Sequence, residues 1–140
     1  MSLPVAVRAL ILQGSGSREF EFRWESEKGA YVFKSRFEGG PGTNPEELIG
    51  AAHAGCFSMA FSVMLGEAGF TANSIETHAD ITFEKQADGF AITASHLTVV
   101  ASIPGIDAAK FAELGSRAKA GGPVWKLLNA KITMEANYQV

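Results

Sequence analysis

From Thr43 to Gly69 the chain reads TNPEELIGAAHAGCFSMAFSVMLGEAG, and between Leu48 and Gly66 it carries no Asp, Glu, Lys or Arg. The segment has the marks of one long helix. Asn44 is a suitable N-cap, Pro45 fits the first helical position, and Glu47 stands three residues past the cap. Glu46 and Glu47 put negative charge at the favourable end of the helix dipole, and Gly69 supplies a left-handed stop. A helix uncharged on every side must be surrounded by lipid or by protein. The stretch barely reaches spanning length, includes His53, Ser58 and Ser62, and is flanked by acidic rather than basic residues. Those features favour a core helix of a folded domain over a membrane span.

A chain of 140 residues is most simply one domain, residues 1–140, long enough to bury a core. Charged residues are only 19% of the chain, which leaves apolar surface to hide and favours an oligomer. A net charge of −3 without a basic cluster argues against a generic nucleic-acid binder. The single cysteine excludes an intrachain disulfide framework and suits a reducing compartment. Arg8 interrupts the short apolar start, so no signal peptide is apparent and the expected location is cytoplasmic.

Around the helix the sequence reads as strands. Pro4 to Gln13 is a β-rich apolar run followed by GSGS at Gly14 to Ser17. Phe20, Phe22 and Trp24 then alternate with charged residues. Lys28-Gly29 predicts a turn, Tyr31 to Phe37 a returning strand, and the glycine-rich EGGPGT at 38–43 a connection. After the helix, Ile75, Thr77, Ala79, Ile81 and Phe83 alternate with polar neighbours. Asp88-Gly89 predicts a hairpin, and Phe90 to Ile103 its long second strand. Asp107 caps a second helix, with Ile106 and Phe111 as a hydrophobic staple; it runs to about Lys119 and stops at Gly121-Gly122. Pro123 opens a short third helix, and a last strand places Ile132, Met134, Ala136, Tyr138 and Val140 on one face. Hairpin-linked strands with a few helices predict an α+β domain with antiparallel sheet.

Chemistry centres on Cys56. It is read either as a small buried hydrophobe, inert in an apolar helix, or as a nucleophile. His53 precedes it by three residues and either orients the thiol or sits as a satisfied core histidine. Small residues at Gly50, Ala54, Ser58 and Ser62 allow close approach of another backbone, from a second copy of the helix or from a strand of the same chain. One cysteine and three scattered histidines show no metal-ligand spacing, EGGPGT lacks a following GK[ST], and no elbow motif surrounds a serine.

These residues resemble a known family. RFEGGPGTNPEELIGAAHAGCFSMAFSVMLGEAGF at Arg36 to Phe70 is similar to the signature region of the OsmC/Ohr thiol-dependent peroxidases, on the OsmC side. The similarity continues through DGFAIT (88–93), PGIDAAKF (104–111) and AKAGGPV (118–124), and covers roughly residues 35 to 140. It implies an OsmC-like intertwined homodimer, with antiparallel sheets wrapped around long central helices. It also implies reduction of organic hydroperoxides, and less well hydrogen peroxide, without metal or flavin cofactor. By position, Cys56 matches the peroxidatic cysteine, Arg36 the arginine that stabilises its thiolate, and Glu46 the carboxylate that holds that arginine. A guanidinium stabilises thiolate and leaving-oxygen charge, and a carboxylate fixes its planar fork. Phe57 and Trp125 are candidate walls of the substrate pocket, with core packing an equally open role.

Glu46 and Cys56 are ten residues apart on one helix, about 15 Å along its axis at about 1.5 Å per residue. Glu46, with Arg36, is therefore expected to reach Cys56 of a partner chain. The sequence also departs from the family pattern: the second, resolving cysteine is expected where this chain has Gly122. An internal disulfide cannot form. An external thiol or dithiol then completes a one-cysteine cycle, or the protein is a binder or sensor of an apolar small molecule without turnover, or Gly122 is a change that traps one state. A sulfenic acid lacking a resolving partner is also more open to over-oxidation.

Overall fold

The structure, a computed structural model, describes residues 2–14, 17–23 and 45–139. The Lys28-Gly29 turn, the Tyr31 to Phe37 strand, Arg36 and the Asn44 cap lie outside the described residues. Strands β1 (Ser2–Gly14) and β2 (Ser17–Arg23) precede helix α1 (Pro45–Glu67), followed by β3 (Ser74–Gln86) and β4 (Gly89–Ser102). Helices α2 (Ala108–Gly121) and α3 (Pro123–Leu127) lead to β5 (Lys131–Gln139). The described strands form one sheet in the order β2-β1-β3-β4-β5.

Helix α1 ends as its sequence predicts. Gly69 has φ 88°, Phe70 N donates to Leu65 O at 2.8 Å, and Gly69 N donates to Gly66 O at 3.1 Å. This pair of bonds is a Schellman ending, and Phe70 packs back on the core as such endings favour. The β3–β4 hairpin turns at Ala87–Asp88, and its second strand starts on Gly89 at φ 131°, a conformation that suits glycine. Along β3 the predicted alternation holds: Ile75, Thr77, Ala79, Ile81 and Phe83 are buried and their neighbours are not. A register shift interrupts the ladder at Thr82/Phe83.

One reading changes. The β1–β2, β1–β3 and β3–β4 pairs are antiparallel, but β5 runs parallel to β4, with Ser95 opposite Ile132 and Ser102 opposite Gln139. The helical crossover through α2 and α3 returns the chain to the end where β4 began, the length of connection a parallel pair requires. Gly122 is the C-cap at which α2 stops, as the sequence predicts. Its backbone is extended (φ −73°, ψ 140°), and it joins α2 directly to α3, standing after the last residue of one and before Pro123 of the other.

The core lies between α1 and the sheet and extends under α2. Phe57, Phe61 and Leu65 of α1 meet Ile75, Leu97 and Val99 from the sheet and Phe111 and Leu114 from α2. Phe61 sits between Phe57 and Phe111, with ring centroids 5.5 and 5.7 Å away, and Phe111 in turn meets Tyr138 of β5 at 4.6 Å. The N-cap of α2 is Asp107, whose side chain accepts from Lys110 N at 2.7 Å. Gly50, Ala54, Ser58 and Ser62 are all buried, and Ser58 Oγ is hydrogen-bonded to Thr77 Oγ1 of β3 at 2.6 Å. The row of small residues therefore seats α1 on a strand of its own chain. Helix α1 has the length and apolarity of a membrane span, yet this side of it is packed into protein.

Candidate active site

The opposite face of α1 is open. Ala52, Met59 and Val63 are exposed, Met59 and Val63 by 50% and 45%, while Cys56 is half-buried among them. Their spacing places all four on one side of the helix. With Ala60, Met64 and Glu67 of α1, and Pro123 and Val124 of α3, they line an open cleft of about 640 Å³. Among these lining residues Glu67, at the C-terminal end of α1, carries the only formal charge. Cys56 thus presents a free thiol to an apolar cleft rather than to the core. That geometry suits a nucleophile meeting an apolar molecule, and an inert core cysteine would not be so placed.

Gly122, buried just before the cleft-lining Pro123, lies against Cys56. A Cβ built on it would stand 3.1 Å from Cys56 Sγ and 3.8 Å from Ala118 O. In a disulfide the Cβ of one cysteine lies about 3 Å from the sulfur of the other, given an S–S bond of about 2 Å. A cysteine at position 122 would therefore stand within bonding reach of Cys56. The neighbouring Gly121 would place a Cβ 3.6 Å from Met64 Cε, so the α2–α3 joint runs closely along α1.

Other expected residues fall elsewhere. His53 is buried and faces the sheet, its Nδ1 hydrogen-bonded to Ser95 Oγ of β4 at 2.7 Å. Burial pushes its pKa down from the ordinary value of 6.5, which favours a neutral ring. Among the described residues it makes no hydrogen bond to Cys56, so the fold holds it as a satisfied core histidine. Phe57, 2% exposed, packs on Phe61 in the core and not on the cleft. Trp125 lines a different cleft, between α2, α3 and β5. The step from Cys56 to Phe57 turns a helix by about 100° and carries the ring to the sheet side. Glu46 is buried near the start of α1, far along the axis from Cys56, and Arg36 lies outside the described residues. The cleft walls that sequence reading passed over, Met59, Val63 and Met64, had a visible signal. They follow Cys56 at intervals of three, seven and eight residues.

Comparison with known proteins fits this architecture. The family of OsmC-like proteins matches residues 38–137. Over 105 residues the chain is 58% identical to peroxiredoxin OsmC of Escherichia coli, covering 75% of this chain and 73% of that protein. Among solved structures, an OsmC-like protein of unknown function from Vibrio cholerae superposes with a TM-score of 0.68 at 15% identity, covering 98% of this chain and 100% of that one. The organic hydroperoxide resistance protein OhrB of Bacillus subtilis gives 0.57 at 20% identity, covering 99% and 98%. At those identities the structural likeness speaks for the fold alone. The long family match and the close relative go further, and by them the chain belongs to the OsmC family.

Proposed function

We propose that this chain is a thiol peroxidase that reduces organic hydroperoxides, and hydrogen peroxide less well, through Cys56. The observation that carries the reading is the free thiol of Cys56 at the middle of an apolar cleft wide enough for an organic substrate. The name of the relative, a peroxiredoxin, and that of the Bacillus subtilis structure, an organic hydroperoxide resistance protein, support the same chemistry.

In the proposed reaction the Cys56 thiolate attacks the distal peroxide oxygen and the O–O bond breaks. Sulfur is oxidised to a sulfenic acid, and the alkoxide leaves and takes a proton to become the alcohol. Arg36 stabilises the thiolate and the departing oxygen, and Glu46 orients the guanidinium through a bidentate pair. Because position 122 is glycine, the sulfenic acid is resolved from outside. One thiol attacks Cys56 sulfur, water leaves, and a mixed disulfide forms; a second thiol releases Cys56 as the thiol and departs as the disulfide. No step calls for a metal or flavin.

The working unit is a homodimer built from this single domain. Its support is the exposed apolar stripe of Ala52, Met59 and Val63 on an otherwise packed helix, a surface that a second copy would cover. In that assembly Glu46 and Arg36 serve Cys56 of the partner, since Glu46 is about 15 Å from its own Cys56 along α1. A reducing, cytoplasmic setting suits the lone thiol.

The experiment mixes protein, cumene hydroperoxide and a monothiol, and follows peroxide loss for wild type and Cys56→Ser. Wild type should consume peroxide and the variant should not. Equal consumption would end the enzyme reading and leave a module that binds an apolar small molecule.

A further inference from the structure

The second cleft, the one that holds Trp125, has a volume of about 440 Å³, within the usual range for small-ligand sites. Its walls include Lys119 of α2, Trp125 and Lys126 of α3, Leu128 beyond it, and Ile132 of β5, with Ser116 adding a hydroxyl. Two further basic residues of α2 are engaged: Lys110 Nζ lies 2.9 Å from Glu113 Oε2 and Arg117 Nη1 lies 3.8 Å from Glu113 Oε1. Lys119 and Lys126 have no acidic partner among the described residues, and the lining of the cleft contains no carboxylate. Trp125 is half-buried and makes no ring contact among the described residues. Among the described residues, two ammonium groups without an acidic partner thus border an apolar floor beside an indole that makes no ring contact.

We propose that this cleft binds a small amphipathic carboxylate, its acid group between Lys119 and Lys126 and its apolar body on Trp125, Leu128 and Ile132, and that occupancy changes access to Cys56. Charged hydrogen bonds to the two ammonium groups select the anion, and the indole and aliphatic side chains select a hydrocarbon or aromatic body. The link to Cys56 is helix α3. Pro123 and Val124 line the thiol cleft, while the next two residues, Trp125 and Lys126, line the second one. None of the five residues of α3 is buried, so the helix is lightly held and shares its two sides between two sites. A ligand drawing Trp125 and Lys126 together shifts the preceding Gly122, which lies against Cys56, and Val124, which lines the same cleft.

The probe is 4-phenylbutyrate at low ionic strength. Trp24 and Trp125 are the two tryptophans of the chain, so fluorescence of Trp24→Phe reports on Trp125, and calorimetry on the unmutated protein guards against a misfolded variant. Saturable binding is expected, with 4-phenylbutanol weaker by about tenfold or more because it lacks the charge. Lys119→Gln combined with Lys126→Gln should lose the acid to a similar extent while keeping its thermal midpoint. Bound acid should change the rate at which iodoacetamide alkylates Cys56. No saturable binding, equal affinity for the alcohol, or full affinity in the double variant would each overturn the site. Binding with an unchanged alkylation rate would overturn the link through α3. None of these readouts uses peroxide, so they stand apart from the peroxidase assay.

Discussion

Replacing Gly122 by cysteine should create a disulfide to Cys56. The backbone at 122 is extended, with φ −73° and ψ 140°, so an L side chain enters without conformational strain. Its Cβ would stand 3.1 Å from Cys56 Sγ, too tight for two unbonded groups at rest but close to the spacing of a bonded pair. The bridge would close a loop of roughly 65 residues, for which chain-entropy arguments give about 4 kcal/mol of stabilisation. In a chain of this size that corresponds to a rise in Tm on the order of 10 °C. The assay treats Gly122→Cys with one equivalent of hydroperoxide, then compares intact mass, free-thiol titration and thermal midpoint with the reduced form. Expected are loss of two hydrogens, no titratable thiol and a higher midpoint that dithiothreitol reverses. Gly122→Ala is the control: it brings the same Cβ against the sulfur without a bond to form, so Cys56 must move by a few tenths of an ångström. If oxidised Gly122→Cys retains both thiols, the α2–α3 joint does not lie against α1 as described.

Further outcomes follow from the same geometry. Ser58→Ala strands the buried Thr77 hydroxyl and should cost about 1–3 kcal/mol in urea unfolding, with Thr77→Val added to it restoring much of the loss. Because burial lowers the pKa of His53 in the fold, the unfolded chain takes up that proton first as pH falls. Its contribution to stability is complete above about pH 6.5 and declines below that value, and His53→Gln should flatten this part of the stability–pH curve. Arg36→Lys keeps the charge but loses the planar fork; kcat/KM for cumene hydroperoxide should fall by about 10²-fold while the far-ultraviolet circular dichroism stays unchanged.

Much of the fold could be read from local chemistry. Gly69, the Asp107 cap and the period-two burial of β3 each depend on a few adjacent residues, and all appear where the sequence puts them. Direction did not show in the same way. A period of two marks a strand and its buried face but is identical for parallel and antiparallel pairing, so the parallel β5 emerges only when the α2–α3 crossover is traced. Side-chain placement around Cys56 followed a similar limit. His53 and Cys56, three residues apart, differ by about 60° around the helix axis, enough for one to bond Ser95 in the sheet while the other meets the cleft. Trp125 shares a five-residue helix with the cleft-lining Val124 yet faces the second cleft, a distinction that sequence spacing in so short a helix does not make. The closeness of Gly122 to Cys56 follows no local rule either; family resemblance drew attention to the position, and the packing of α2 and α3 on α1 supplies the distance.

In the proposed reaction the sulfur of Cys56 is the atom a hydroperoxide oxidises. The most direct measurement adds one equivalent of cumene hydroperoxide to the reduced protein in the presence of dimedone and locates the adduct by peptide mass spectrometry. Near-stoichiometric dimedone on Cys56 is expected, absent from Cys56→Ser and suppressed when a monothiol is present to resolve the sulfenic acid. A thiol at Cys56 that still titrates fully after the peroxide has been given ample time to react would contradict it.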